Sequence, residues 1–145
     1  MKKKMLVLMA VLVIASLGFA SVVSAESESG MGTLVAQGDG FAGLHGTGYV
    51  RVRGNGVLWV KGEESIRIQG EEGHKKVFPD GWTEYVGFRG TARIRGQGVS
   101  VLMAGENIKL YAIGTGRVIL WGKGTYEING LITGRWSEAI GILDY

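Results

Sequence analysis

Cysteine is absent from the 145-residue chain, and there are only one proline and two histidines. Without cysteine the chain forms no disulfide bonds, so its fold depends on packing and backbone hydrogen bonds. The histidines, His45 and His74, have no motif partner that would complete a metal pair or activate a nucleophile. We therefore expect a protein without a cofactor or metal and without enzymatic activity. The alternative is a hydrolase whose two carboxylates are brought together by folding, as in glycosidases.

Glycine-rich segments resemble phosphate-binding or calcium-binding motifs, but the surrounding sequence does not support either binding function. The segment "GDGFAG", residues 38–43, matches the G-x-G-x-x-G pattern of dinucleotide sites, but a strand pattern follows where that chemistry needs a helix. Calcium-binding β-roll repeats need an aspartate in every turn. The positions equivalent to Asp39 hold Thr47, Asn55 and Lys123 instead. We therefore expect the glycines to shape the backbone rather than to hold a ligand.

The first 25 residues are typical of a secretory signal peptide. Lys2 to Lys4 are charged, an apolar run extends from Met5 to about Phe19, and Val23-Ser24-Ala25 is similar to a cleavage site. We expect cleavage after Ala25, secretion or residence in the cell envelope, and no membrane span after removal of the signal. The alternative is an uncleaved anchor over residues 5–25, a length close to the ~20 residues that cross a bilayer.

Charge is balanced once the signal peptide is removed. The full chain has 16 Lys+Arg and 13 Asp+Glu, and three lysines leave with the signal, so 13 of each remain. A neutral chain gives no overall electrostatic reason to expect nucleic acid as a partner. A local basic patch is still compatible with an anionic polymer.

Glycine recurs at a nearly fixed interval, and this internal repeat dominates the organisation of the chain. One series has spacings of eight and a second has spacings of nine, nine, eight and eight: Gly38, Gly46, Gly54, Gly62 and Gly70, then Gly96, Gly105, Gly114, Gly122 and Gly130. The segments "GTGYVRVRGNG" from Gly46 and "GTGRVILWGKG" from Gly114 align without gaps. We interpret residues 26–33 as a flexible lead and residues 34–145 as one β-repeat domain. Its duplicated parts are residues 34–70 and 88–132, and residues 71–87 form a connecting hairpin.

Apolar and polar residues alternate between the glycines, which is typical of half-buried strands. Leu44, Val50 and Leu58 share one face if every loop has three residues, as in Gly46-Thr47-Gly48. The pattern predicts an all-β fold, a meander of 11 to 13 short strands forming a sandwich or small barrel. The alternative is a parallel β-solenoid, although eight residues are too few for a complete coil.

Two local signals refine this prediction. Pro79 and Asp80 suit the first two positions of a turn and Gly81 the third, which predicts a hairpin from Phe78 to Trp82. The nine-residue glycine spacing over residues 99–107 predicts a bulge or a longer loop.

The outward face holds a candidate ligand or partner surface, which consists of Arg51, Arg53, Trp59, Arg67 and Trp121. With three-residue hairpins, Trp59 stands between Arg51 and Arg67. Aromatic rings stack on sugars, and guanidinium groups bind carboxylate, sulfate or phosphate. The alternative interpretation is a cation–π ladder that stabilises the sheet and has no ligand.

Apolar residues on the same outward face indicate assembly. Ile113, Ile119 and Trp121 form a patch of the kind found between sheets or subunits, and an open meander leaves unpaired backbone groups at its edges. We expect an exported structural or interaction protein that self-associates at the cell surface or envelope. The alternative is an extracellular module that binds a carbohydrate or an anionic polymer. The C-terminal segment is expected to cover the domain, with three apolar residues buried: Trp136, Ile140 and Ile142.

Overall fold

The computed structural model describes residues 31–136 and 142–145, so the expected signal peptide and most of the flexible lead lie outside the described residues. Six strands form one antiparallel sheet: β1 (Gly32–Lys61), β2 (Ser65–Glu71), β3 (His74–Val77), β4 (Thr83–Ile128), β5 (Ile132–Arg135) and β6 (Ile142–Asp144). The all-β prediction is confirmed. The described part of the chain has no helix, and hence none with the length and apolar character needed to cross a membrane.

The sheet is built from one long β-hairpin whose turn lies in the middle of the chain. The Phe78 N–H donates to the Trp82 carbonyl at 2.8 Å, and the Gly81 N–H donates to the Phe78 carbonyl at 3.1 Å, which confirms the predicted hairpin. From this turn the two arms pair along the whole domain, through Val77↔Thr83, Gly70↔Gly90, Gly48↔Gly114 and Leu34↔Ile128. The glycine-marked segments of the two halves are therefore opposite arms of one ribbon.

A second set of pairings requires this ribbon to be wound around itself. Ala112 pairs with Val50 on one side and with Leu34 on the other. The 16 residues from Leu34 to Val50 make about 53 Å of extended chain, yet both residues lie beside the same strand, about 10 Å apart. The ribbon therefore completes one turn in 16 residues, which is two glycine repeats. Eight residues are too few for a coil, as expected, but two repeats complete one.

The wound sheet has free edges and a main core between its turns. All strand pairs in the described residues are antiparallel, so the parallel β-solenoid alternative is wrong. The sheet does not close into a barrel, because β2 and β3 leave one edge free and β5 and β6 leave another. Inward-facing side chains from successive turns meet in the main core, which includes Leu34, Leu44, Val52, Leu58, Ile94, Leu110 and Val118.

The predicted three-residue hairpins at the glycine repeats are wrong. Gly46-Thr47-Gly48 lies inside β1, and the strand continues through it. Gly48 faces Gly114 in β4, and a Cβ on Gly114 would overlap the Thr47 carbonyl group. Gly114 also has φ +143°, which residues with a Cβ rarely adopt. These glycines are corners at which the ribbon bends and two backbones touch, and such a bend preserves the same side-chain alternation as a hairpin.

The nine-residue glycine spacing in β4 accommodates a β-bulge, as predicted for residues 99–107. Asn107 has φ +53°, and the pairing register shifts by one residue around it. The Asn107 N–H donates to the Asp39 carboxylate at 2.7 Å, and the Gly98 N–H donates to the Thr47 hydroxyl at 3.1 Å. Corner side chains of β1 therefore satisfy backbone donors that irregular positions in β4 leave without a ladder partner. Asp39, in the segment that matches a nucleotide motif, has this structural role.

Trp136 covers the core beyond β5, as predicted. It is buried, its indole N–H donates to the Thr125 carbonyl at 3.0 Å, and its backbone N–H donates to the Gly124 carbonyl at 2.9 Å. The predicted burial of Ile140 and of the Ile142 side chain falls outside the described residues.

Candidate anion-binding face

Three arginines from three neighbouring strands stand side by side on the outer surface of the sheet. Arg93 in β4 pairs with Arg67 in β2 on one side and with Arg51 in β1 on the other. Their sequence neighbours Ile94 and Val52 belong to the core, so strand alternation directs the arginines outward. Because adjacent strands are about 4.8 Å apart, the backbone positions of three positive charges lie within about 10 Å.

Further cations extend this row on the same side of the sheet. Arg95 lies two residues from Arg93 on β4, and Arg53 lies two residues from Arg51 and pairs with Lys109. We call this surface the basic face, and it consists of Arg51, Arg53, Arg67, Arg93, Arg95 and Lys109. The structure therefore brings together three of the five predicted site residues, Arg51, Arg53 and Arg67.

Two tyrosines hold arginines of the basic face in place. The Arg51 Cζ atom lies 5.1 Å from the centre of the Tyr111 ring, and the Arg95 Cζ atom lies 5.0 Å from the centre of the Tyr49 ring. Stacking on a ring restricts the guanidinium group without using its N–H donors. These two arginines are therefore positioned while their donors stay available for an anion.

In the part of the chain that the structure describes, no acidic side chain is paired with the basic face. Within residues 31–136 and 142–145, none of its six cations forms an ion pair with Asp or Glu. Arg93 donates instead to a neutral acceptor, with 2.6 Å between its Nη1 atom and Gln69 Oε1. Like charges on directly opposite strand residues repel, by about 0.8 kcal/mol for 5 Å in water. An anion bound across the arginines would remove this repulsion.

Trp59 does not stand between Arg51 and Arg67, so its predicted placement is wrong. It pairs with Glu84 and Leu102, is only 7% exposed, and its indole N–H donates to Glu84 Oε2 at 3.0 Å. The winding is the physical reason. Trp59 follows Arg51 by eight residues, which is half a turn, and it therefore lies on the opposite side of the coil.

Trp121 also lies away from the basic face, next to a second apolar cluster. It pairs with Phe41 and is 42% exposed, whereas Ile119 is buried in the cluster. Ile113 lies on the side of the basic face, where it pairs with Tyr49. The predicted apolar surface is thus divided between the two sides of the coil. The second cluster consists of Trp59, Trp82, Leu102 and Ile119, with Phe41, Val57, Phe78 and Ala104 packed against it.

A histidine and a serine far apart in sequence are in contact on the side opposite the basic face. His45 Nδ1 lies 2.8 Å from Ser100 Oγ, and burial lowers the pKa of His45. A catalytic imidazole is normally oriented by a carboxylate. Here the other residue opposite His45 is Arg117, whose Nε donates to Asp144 at 2.8 Å. Because burial opposes formation of imidazolium, the pair suits strand cohesion better than proton transfer.

Acidic residues form no metal-binding group in the part of the chain that the structure describes. No three His, Cys, Asp or Glu side chains of that part lie close enough together to hold an ion. Glu63 and Glu72 both act on Tyr85, whose pKa is raised by burial first and by these carboxylates second. A carboxylate between β1 and β2 and another between β2 and β3 therefore both lie near the Tyr85 hydroxyl.

An open groove of about 500 Å³ lies beside the basic face, next to β5. Its lining includes Gln37, Thr125, Glu127 and Arg135. Glu127 lies in the row that contains Arg51, separated from Tyr111 by one strand. Its negative charge ends the positive surface on this side.

Sequence analysis missed Arg93, Arg95 and Lys109. The segments "RVRG" from Arg51, "RIQG" from Arg67 and "RIRG" from Arg93 share the order arginine, apolar residue, polar residue and glycine. That repetition was a usable signal for Arg93 and Arg95. Lys109 has no such signal, because only the winding places it beside Arg53.

The fold and the basic face define an all-β protein built from one coiled antiparallel ribbon with a cationic outer surface. Comparisons with protein family models, with curated proteins and with solved structures found no match. The chain's own residues are therefore the basis for a functional proposal.

Proposed function

We propose that this is an exported, non-catalytic protein that binds an acidic polysaccharide at the cell surface or envelope through its basic face. The supporting observation is the line of Arg67, Arg93 and Arg51, which have no acidic partner among the described residues. A guanidinium group binds a carboxylate through two parallel N–H···O bonds, so planar acid groups suit this surface. The signal peptide expected at residues 1–25 would deliver the protein to a place where such polymers occur.

The aromatic side chains favour an acidic polysaccharide over a nucleic acid. Proteins that bind single-stranded nucleic acids use open aromatic rings as stacking platforms for the bases. On the basic face the rings of Tyr111 and Tyr49 are already contacted by Arg51 and Arg95. The balanced charge of the chain after signal removal points the same way, since nucleic-acid-binding domains are usually strongly basic.

Calorimetric titration of the exported protein with polygalacturonate tests this proposal. Arg93→Gln and Arg51→Gln should each weaken binding by about 10- to 100-fold, the effect of one charge-assisted hydrogen-bonded contact. Lys123→Gln is the matched control, because it removes the same charge from an exposed corner opposite Asp39. It should change the affinity by less than about twofold, since charges beyond about 10 Å are screened at 0.1 M salt.

Three outcomes would contradict the proposal. Acidic polysaccharides fail to bind at physiological salt, the two arginine variants bind as tightly as the unchanged protein, or double-stranded DNA binds more tightly than the polysaccharide. Melting curves of each variant confirm that the fold is retained, so a loss of binding is assigned to the basic face.

Self-association is a second candidate function, favoured by apolar side chains at both free edges of the sheet. Val77 in β3 is 65% exposed, and Ile132 in β5 is 56% exposed. In the described residues these strands pair with β4 alone, so their outer N–H and C=O groups are available to a second copy. Adding the β3 edge of one copy to the β5 edge of the next would build a chain of molecules.

Sedimentation velocity over a range of protein concentrations tests self-association. Val77→Lys and Ile132→Lys should each reduce the assembled fraction, because a charge on an edge strand opposes strand addition. Val86→Lys is the control, since Val86 is 38% exposed but has paired neighbours, Val57 and His74, on both sides. An unchanged protein that stays monomeric at every concentration would rule this function out.

A further inference from the structure

The basic face has a positive charge on each of four neighbouring strand segments. In order across the sheet these are Arg67 on β2, Arg93 on β4, Arg51 on β1 and Lys109 on the next segment of β4. The three arginines are directly opposite one another, whereas Lys109 is opposite Arg53, two residues along the strand, so the line slants toward Lys109. Adjacent segments are about 4.8 Å apart and Lys109 is displaced by about 7 Å along the strand, so the four backbone positions span about 16 Å on a slant across the strands. Along any one strand the run is shorter, with two cations such as Arg93 and Arg95 about 7 Å apart.

This spacing matches a particular class of polymer. The length of one pyranose ring along a polysaccharide chain is similar to the strand separation of about 4.8 Å. A chain with a carboxylate on every sugar therefore meets one cation per sugar when it lies across the strands. A chain with a carboxylate on alternate sugars leaves every second cation without a partner.

We propose that the basic face binds a homopolymer of uronic acid that lies across the strands, with four successive sugars over Arg67, Arg93, Arg51 and Lys109. This inference rests on the proposed function and adds the direction and charge spacing of the ligand. The site ends on one side at Arg67, because β2 is an edge strand. On the other side the residue opposite Lys109 is the neutral Gln37.

Two oligosaccharides with equal charge but different carboxylate spacing distinguish two modes of binding. One is the proposed alignment across the strands, and the other is an attraction that depends on net charge alone. Tetragalacturonate has four carboxylates on four sugars, whereas a hyaluronan octasaccharide has four carboxylates on eight. By calorimetry, tetragalacturonate should bind about 10-fold more tightly or better, because each of its carboxylates meets a cation. Affinity should rise from the dimer to the tetramer and then by no more than about threefold for the hexamer, since no further cation is reached and only the three ways of placing four of its six sugars add to the affinity.

Variants at the ends of the line test its direction. Arg67→Gln and Lys109→Gln should each weaken tetragalacturonate binding by about 10-fold or more. Arg95→Gln is the comparison variant, because it removes the same charge from the same face but lies two residues from Arg93 in the direction opposite to Lys109, off the slanting line. Its effect should stay below about threefold, that of an unpaired charge about 7 Å away in water.

The outcomes distinguish this inference from the function on which it rests. If neither oligosaccharide binds, the proposed function itself fails. If both bind equally, or if Arg95→Gln weakens binding as much as Arg67→Gln, the basic face still attracts acidic polymers, but the chain does not lie across the strands.

Discussion

Adding one methyl group at a corner glycine should destabilise the protein far more than adding it at a glycine in open space. In Gly114→Ala the new Cβ would lie 3.1 Å from Gly48 Cα and 3.0 Å from the Thr47 carbonyl carbon, and closer still to the carbonyl oxygen. Carbon atoms pack at about 3.5 to 4.0 Å, so two paired backbones must separate. Overpacking costs about 1 to 3 kcal/mol, and a side chain at φ +143° costs about the same again. The expected loss is about 2 to 6 kcal/mol.

Gly98→Ala is the matched control for this prediction. Gly98 has φ +66°, but a Cβ there would meet nothing within 4 Å, so only the conformational cost of about 1 kcal/mol applies. For a domain of this size, 1 kcal/mol lowers the melting temperature by about 4 °C. Thermal unfolding followed by circular dichroism should therefore show a fall in melting temperature of about 8 to 24 °C for Gly114→Ala and about 4 °C for Gly98→Ala. Equal falls would refute the close backbone contact at the corners.

Three further predictions concern polar contacts. Asp39→Ala should lower the free energy of unfolding in urea by about 1 to 2 kcal/mol, since the Asn107 N–H loses its acceptor, and Asp39→Asn should recover most of the loss. Trp59→Phe should cost about 1 to 3 kcal/mol in the same assay, because it removes a donor from the buried Glu84 carboxylate, and an unchanged midpoint would contradict this. Burial lowers the pKa of His45, so protonation favours the unfolded state. The stability that neutral His45 contributes should be full above pH 6.5 and decline as the pH falls below that value. The melting temperature of His45→Gln should therefore fall less steeply with decreasing pH than that of the unchanged protein.

The strand content and the central turn could be predicted because each depends on local chemistry. Alternation of side chains requires strands, and Pro79-Asp80-Gly81 specifies a tight turn. The winding could not be predicted, because a bend through Gly46-Thr47-Gly48 and a hairpin there have the same glycine placement and the same alternation. The bend and the hairpin differ in which residues lie opposite these glycines. That is decided by contacts such as the one between Gly48 and Gly114, which are 66 residues apart.

The candidate site shows the same division between local and long-range information. Strand alternation was enough to place Arg51 and Arg67 on an outward face. In the predicted hairpins residues eight apart become neighbours, which put Trp59 between these arginines. In the wound ribbon, residues 16 apart lie two strands apart, and the strand between Arg51 and Arg67 carries Arg93. A repeat of eight in the sequence thus corresponds to a repeat of 16 in space.

The central position of the hairpin turn also matters while the chain is being made. The 30 residues of β1 are complete before the first residue of β4 exists, and in the described structure β1 pairs with β4 alone. β1 therefore remains unpaired until the turn at Phe78–Trp82 has formed. Pairing can then spread outward from the turn, because each new pair closes only a small loop. Exposed strands of this kind aggregate unless charges interrupt them. Arg51 and Arg53 would then act as gatekeepers in the nascent chain before they bind any ligand.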